Sequence, residues 1–472
     1  MKLNIILLFT LWRTLHSYLH FPFGSPFRFQ KKEIRKTILP TNLPENHMKI
    51  IRKIDGFFGL IGPDIKIADI QNLYHLLLGN GIIQGCFFKN GELTFVKTYV
   101  KTDKLLYEEK CGKIPQNNAH YLIFYLFHKL SLLPNIFGLA NTSIMKITDY
   151  SKGFYSPRHR FFALYERDLP YEIKIDFHEK HIRTIGRVNI YGVKHFSAHS
   201  MVHNENDTIE TIDYNILTNQ FIYHRLNGGM QLYKTLYVKT KYLPIIHDFI
   251  STEENIIFTD SPLKMEHSEI HRKAMPVKMM SNKSTYIHVL NKYNGSLKTF
   301  TMKNQSFYIF HYSQWIETNT TIEIYAPMYD HIDFSTLDIQ GRYRKICIDK
   351  NSGNVTMEKN EVLENLDIEF PIKFGNKIIF RNMKNKVCDG FVICKDLKVI
   401  KQIYLENRFV SGEPRVIDVD GSPFLICFVF DTLVSNMGNG ILLLINLDNY
   451  EKIEIPLNIE LYYGFHSFFT SL

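Results

Sequence analysis

Twenty histidines are scattered along the chain, and four of them stand in settings that suggest chemistry. These are His199 in Phe196-Ser-Ala-His-Ser, His247 in Ile246-His-Asp-Phe, His311 in Phe310-His-Tyr-Ser-Gln-Trp-Ile-Glu, and His466 in Gly464-Phe-His-Ser-Phe. Neutral imidazole is the commonest metal ligand in proteins. Four such donors leave two positions of an octahedron vacant, enough for a small molecule such as O₂, and on softness alone they suit iron, zinc or copper equally. Two other groupings compete. His195, His199 and His203 are spaced four apart, as on one face of a helix, but Val188-Asn-Ile-Tyr-Gly-Val before them reads as strand and turn. His267 and His271 are also four apart, but Glu269 lies midway between them, so the segment is not the H-E-x-x-H of a zinc protease. With Lys264, Glu266 and Arg272 around them, a polar loop is the reading there.

To bring four such distant residues together, the chain needs elements that converge. From about Ile51 it reads as short β-runs separated by turns, for example Gly91-Glu-Leu-Thr-Phe-Val-Lys-Thr-Tyr-Val, Asn255-Ile-Ile-Phe-Thr, Thr321-Ile-Glu-Ile-Tyr-Ala and Gly440-Ile-Leu-Leu-Leu-Ile-Asn. Each is rich in β-branched or aromatic residues and bounded by turn formers. Long amphipathic helices are nearly absent. So many short strands in one long chain favour an all-β propeller over a sandwich, because radial repetition protects strand edges. No exact repeat fixes the blade count. The four histidines are separated by roughly one blade, one blade, and two or more blades, so inner strands can carry all four to a central axis.

Here the sequence resembles a known family, the carotenoid cleavage oxygenases. Their iron-binding histidines occur in this order within T-A-H-P, M-H-D-F, F-H-x-x-N-A-x-E and G-F-H-G. The stretch Ile246-His-Asp-Phe-Ile-Ser-Thr-Glu-Glu-Asn-Ile-Ile-Phe-Thr-Asp-Ser-Pro-Leu is similar, without a gap, to the family's M-H-D-F-A-x-T-E-N-Y-x-x-F-x-D-x-P-L. Leu78-Gly-Asn-Gly-Ile-Ile-Gln-Gly, the run from Phe87 to Thr102, Ala140-Asn-Thr and Leu164-Tyr-Glu-Arg-Asp-Leu-Pro-Tyr-Glu extend the likeness from about Phe57 to His466.

The resemblance implies a seven-bladed β-propeller with a helical or loop cap over one face, holding one Fe(2+) on His199, His247, His311 and His466. It also implies that Glu166, Glu369 and Glu413 pair with His247, His311 and His466 respectively. A ligating imidazole needs its second N–H held, and a carboxylate fixes the tautomer and strengthens the donor. The implied activity is a non-haem iron(II) dioxygenase that cleaves a conjugated C=C bond of a carotenoid or apocarotenoid with O₂ and releases aldehyde or ketone products. Stilbene cleavage on the same centre, or a non-catalytic carotenoid-binding propeller, are the alternatives. The chain departs from the family pattern at Gln84, Gln314, Trp315, Ile316 and Ser467, and of these Gln314, Trp315 and Ser467 adjoin ligands and bear on cavity shape. The P-D-P-C-K segment of the family's vertebrate retinoid isomerase is absent.

Composition agrees with a large buried core. Of 472 residues, 45% are apolar and 22% charged, with 36 Phe and 27 Tyr, which suits strands and a cavity for a long apolar ligand. The formal charge is +9, but basic residues are interspersed with acidic ones and a nucleic-acid partner is not expected. The six cysteines form no C-x-x-C pair and read as buried thiols. Residues 1–45 read as an apolar and basic leader or N-terminal arm, and 46–472 as the propeller. Lys2 precedes an apolar run from Leu3 to Trp12, of signal-peptide size, and no carboxylate follows until Glu33. The expected location is an organelle reached through that leader, of plastid type, with a cytoplasmic, peripherally membrane-bound protein as the alternative. Tyr121 to Leu133 is apolar with one full charge, Lys129. It suits either a bilayer interface, giving peripheral membrane contact, or a buried cap helix.

Overall fold

The computed structural model describes residues 33–471 except 41, 71–72, 113–137, 150–157, 267–275, 335, 337–338, 385–386 and 433–438. The leader, the apolar segment Tyr121–Leu133 and the pair His267 and His271 therefore lie outside the described residues. The rest is a ring of seven antiparallel sheets, the expected β-propeller. Six blades have four strands in simple up-and-down order. Their innermost strands are Ser143–Asp149, Met201–His203, Ile250–Ser251, Gln314–Glu317, Ile368–Phe374 and Arg408–Val419, for blades two to seven. A two-stranded flap, Leu263–Met265 with Val277–Met279, interrupts blade four.

Blade one is built from both ends of the described chain. Its three central strands are Gly56–Pro63, Gly81–Lys89 and Glu92–Tyr99. Ile34–Ile38, from the segment read as an arm, adds the outer edge, and Ser467–Thr470 adds the innermost strand by pairing with Gly56–Pro63. The ring is closed by a late strand paired to an early one.

The hydrophobic core is distributed around the ring. Each of the seven junctions between neighbouring blades holds its own cluster of buried apolar side chains. The two-residue period of a strand explains how one sheet serves two junctions. In blade six, Ile378 and Phe380 pack toward blade five while Ile379 packs toward blade seven. In blade one, Phe57 faces blade two and Phe58 faces blade seven. Central strands are thus apolar on both faces, as in Phe424 to Phe430, and this is why they read as continuous hydrophobic runs. An eighth cluster, with Ile245, Tyr308, Tyr329 and Phe334, lies under the short helix Leu73–Leu77, on the face where the inner strands begin. Among the described cysteines, Cys86, Cys394 and Cys427 are buried and Cys347 is half-buried, all as thiols.

Candidate metal centre

Each of the four singled-out histidines sits just before an innermost strand. His199 precedes Met201–His203, His247 precedes Ile250–Ser251, His311 precedes Gln314–Glu317, and His466 precedes Ser467–Thr470. Blades three, four, five and one thereby deliver one imidazole each to the axis. One ring nitrogen from each lies within 4.8 Å of the others. The ring centre of His199 is 4.6 Å from that of His247, 4.9 Å from His311 and 4.7 Å from His466. The other groupings are not brought together: His195 turns to Asp213 at 3.1 Å and His203 to Glu210 at 3.2 Å.

The three glutamates approach from behind. Glu369 Oε2 is 2.7 Å from His311 Nδ1, Glu166 Oε1 meets His247 Nδ1, and Glu413 Oε2 is 3.5 Å from His466 Nδ1. The third contact is longer than a normal hydrogen bond. Among the described residues His199 has no carboxylate partner; its backbone N–H donates to Ser197 Oγ at 2.9 Å.

Local backbone irregularities aim two of these carboxylates. The pairing register slips between Glu369 and Ile372 in blade six and between Ser411 and Arg415 in blade seven. Such bulges re-aim a side chain that a regular strand would point elsewhere. Phe370, next to Glu369, takes φ +55°, and Gly412, next to Glu413, takes φ +67°. A Cβ at Gly412 would lie 2.8 Å from the Phe465 carbonyl oxygen, so the close approach needs glycine. That approach lets Glu413 N–H donate to Phe465 O at 2.7 Å, tying the carboxylate to the chain that presents His466.

Asp248, inside the Ile246-His-Asp-Phe motif, has a role the sequence reading did not assign. Its Oδ2 accepts from the Tyr312 N–H at 3.0 Å and its Oδ1 from the Phe249 N–H at 2.8 Å, so it locks the turn after His247 to the turn after His311. Burial raises this carboxyl to about 6. Ser467, a departure from the family pattern, donates its N–H to Glu413 Oε2 at 3.2 Å and its hydroxyl to Pro414 O at 3.2 Å. Gln84 makes two bonds to the Tyr462 backbone, at 3.0 and 2.8 Å, and so steadies the same segment. Gln314, Trp315 and Ser467 do not line the cavity described below.

The electrostatics match a cation at the centre. Burial, then the neighbouring imidazoles, hold His199 well below its ordinary range, and burial lowers His466. For His311 burial also acts downward, but Glu369 more than offsets it and the net shift is upward. His199 Nε2 and His247 Nε2 face each other at 3.0 Å, and buried His311 Nε2 has no hydrogen-bond partner. One cation bound by the inward nitrogens would satisfy this set, with the carboxylates holding the outward N–H groups. The donors therefore fit a metal of the imidazole-binding class.

His247, His311 and His466 also line a cavity of about 800 Å³. Its walls are largely aliphatic and aromatic, with Leu73 and Leu77 on the capped side and Phe310, Phe370 and Phe465 beside the histidines. Phe310 lies 5.4 Å from His247 and Phe370 5.3 Å from His311, ring centre to ring centre. The lining runs from Tyr165 and Tyr214, in blades two and three, across the axis to Asn407 and Thr432 of blade seven.

Fold and site together define a β-propeller with a four-histidine candidate metal centre beside an apolar cavity. Residues 49–471 match the family described as retinal pigment epithelial membrane protein. The chain belongs to that family, which is also that of the carotenoid cleavage oxygenases it resembles. It is similar to the carotenoid 9,10(9',10')-cleavage dioxygenase 1 of Phaseolus vulgaris, at 26% identity over 292 residues, 57% of this chain and 51% of that one. It is also similar to a chloroplastic 9-cis-epoxycarotenoid dioxygenase of Arabidopsis thaliana, at 25% identity over 228 residues, 46% of this chain and 39% of that one. Its matches thus span about half the length of these curated relatives or less. Among solved structures, a point mutant of the Synechocystis apocarotenoid oxygenase has a TM-score of 0.72 at 17% identity, covering 94% of this chain and 97% of that one. The Pseudomonas brassicacearum lignostilbene dioxygenase has a TM-score of 0.71 at 16% identity, covering 94% and 96%. These two likenesses show the fold.

Proposed function

We propose that this protein is a non-haem iron(II) dioxygenase that splits one conjugated C=C bond of a carotenoid or apocarotenoid, with one atom of O₂ ending in each of two carbonyl products. The observation that carries this reading is the meeting of four imidazoles, three of them backed by carboxylates and lining a largely apolar cavity. The activities named for its carotenoid-cleaving relatives support it.

In this reading His199, His247, His311 and His466 hold Fe(2+), and Glu166, Glu369 and Glu413 fix three of the rings and partly balance the charge. Iron(II) supplies the O₂ chemistry that closed-shell side chains cannot. The protein positions the polyene. Phe310, Phe370 and Phe465 line the cavity beside the histidines, an apolar wall against which a rigid conjugated chain can lie with one bond near the centre. The same rings exclude water from the reacting carbons.

Incubation of the iron-loaded protein with a panel of carotenoids, apocarotenoids and hydroxylated stilbenes under ¹⁸O₂ tests the reading. Paired carbonyl fragments of a polyene, each initially carrying label, are the expected result. Turnover of stilbenes alone would replace this assignment with the stilbene alternative, and no turnover of any substrate by iron-loaded protein would favour a binding role.

For location, we infer a plastid-type organelle reached through residues 1–45, with contact at the membrane surface through Tyr121–Leu133. The leader's apolar run and carboxylate-poor continuation, with a chloroplastic relative, support this. No described helix is long and apolar enough to cross a membrane. A fusion of residues 1–50 to a fluorescent protein should enter the secretory route or a plastid, and diffuse cytosolic fluorescence would remove the inference.

A further inference from the structure

The cavity wall carries several charged side chains, and nearly all are committed elsewhere. Glu166 and Glu369 hold histidines. Arg408 donates to Glu454 at 2.9 Å and lies 3.6 Å from Asp431. Arg381 is 1% exposed and lies beneath the rings of Phe370 and Phe409, at 4.9 and 6.0 Å. Asp367 accepts the Gly341 N–H at 2.9 Å.

Arg167 differs. Its side chain lines the cavity and is 32% exposed. Three contacts fix where the guanidinium sits. Nη1 donates to the Tyr214 carbonyl at 3.1 Å, the group lies over the Tyr214 ring at 5.0 Å, and Asp213 Oδ1 is 3.9 Å away. Asp213 is itself buried and shared with His195 at 3.1 Å. Tyr214 is anchored in turn, its hydroxyl donating to Glu166 Oε2 at 3.3 Å. A guanidinium has five N–H donors and no acceptor. Among the described residues it makes one hydrogen bond, so this held cation keeps donors for a guest that presents acceptor oxygen.

We propose that Arg167 binds the terminal oxygen of a polyene ending in a carboxylate or carbonyl group, and so selects apocarotenoid-type guests over hydrocarbons of the same length. This rests on the reading of the cavity as a polyene site and adds a determinant of which polyene it takes. Arg167 is a specificity-determining residue here; the bond-breaking chemistry does not pass through it. The fork geometry favours a carboxylate, which can accept two parallel N–H bonds. A hydrocarbon end would desolvate the remaining N–H donors without offering them an acceptor, so the preference has a repulsive side as well.

The test is a binding measurement that needs no turnover. Wild-type protein and Arg167→Met, each with and without iron, are titrated with an apocarotenoic acid and with the hydrocarbon in which a methyl replaces its carboxylate, following the polyene absorption band. Wild type should favour the acid. Arg167→Met should bind the acid about 10- to 100-fold more weakly, the scale of a charge-assisted hydrogen bond, and the hydrocarbon no worse than wild type. Arg167→Lys, which keeps the charge and loses the fork, should fall between the two and guards against a folding defect in the Met variant. Equal weakening toward both guests, or a wild type that does not discriminate, overturns the assignment of Arg167 while leaving the polyene cavity standing. Failure of wild type to bind either guest overturns the polyene reading itself, and this inference with it.

Discussion

His311→Ala should empty the centre. Loaded anaerobically with iron(II) and passed through gel filtration, the wild type should retain about one iron per chain and the variant close to none, with cleavage lost in parallel. His311 is chosen because its inward nitrogen is buried without another partner, so no protein group competes for the role. Glu369→Gln should give a smaller, separable effect. The amide keeps the shape but loses the charge, and outer partners of this kind typically contribute about 10- to 100-fold in metal affinity. His195→Ala is the control: the residue belongs to the same loop as His199 but turns to Asp213. Iron lost from His195→Ala and kept by His311→Ala would overturn the ligand assignment.

Glu210→Gln should be among the most destabilising isosteric changes in the molecule, at about 3–5 kcal/mol, because breaking a buried ion pair strands the remaining charge. Glu210 is fully buried in blade three and lies 2.9 Å from Lys292 Nζ of blade four. It also accepts from Tyr223 Oη at 2.8 Å, from the Ser251 hydroxyl, and contacts His203. Denaturant midpoints should fall sharply for Glu210→Gln, and for Lys292→Met, and the double variant should be less damaged than the sum of the two. Strict additivity would show that the pair does not act as a unit. The acid limb offers a second readout. Burial pushes the Glu210 carboxyl up, but its hydrogen bonds and Lys292 outweigh that and bring it from 4.5 to about 2. A depressed carboxyl contributes stability above its unfolded value and loses it as pH falls through the folded one. The wild type should therefore lose this contribution between about pH 4.5 and 2, and Glu210→Gln should be flatter there.

Those two blades carry His199 and His247, so the pair that ties them together bears on metal geometry. Nothing in the sequence announced it. His203 stood out only as a member of an i, i+4 series, and its partner Glu210 is an ordinary strand residue until the hairpin places the two diagonally across the strand pair. The four histidines stood out by the short, unusual strings they lie in, whereas the three glutamates came only with the family resemblance those strings carry. The propeller class was legible because short strands rich in β-branched and aromatic residues, each bounded by turn formers, follow one another along the chain from about Ile51. The number of blades was not legible from periodicity. Blade four is interrupted by the Leu263–Met265 and Val277–Met279 flap, and blade one is assembled from distant segments. The bulge that aims Glu369 was hidden for a different reason. A positive φ at Phe370 is imposed by its surroundings, and phenylalanine gives no local signal for it. Asp248 lies within the Ile246-His-Asp-Phe motif, yet its partner, the Tyr312 N–H, is distant in sequence and belongs to another blade.

The closure of blade one sets an order of events during synthesis. Ser467–Thr470 pairs with Gly56–Pro63, so the first blade waits for its inner strand while every other blade is translated. A nascent chain that has emerged through blade seven can present three imidazoles, but His466 is still in or near the ribosomal tunnel. Placing the last ligand at the clasp of the ring couples completion of the coordination set to completion of the fold. A chain cut short before the clasp would lack both the closing strand and the fourth imidazole.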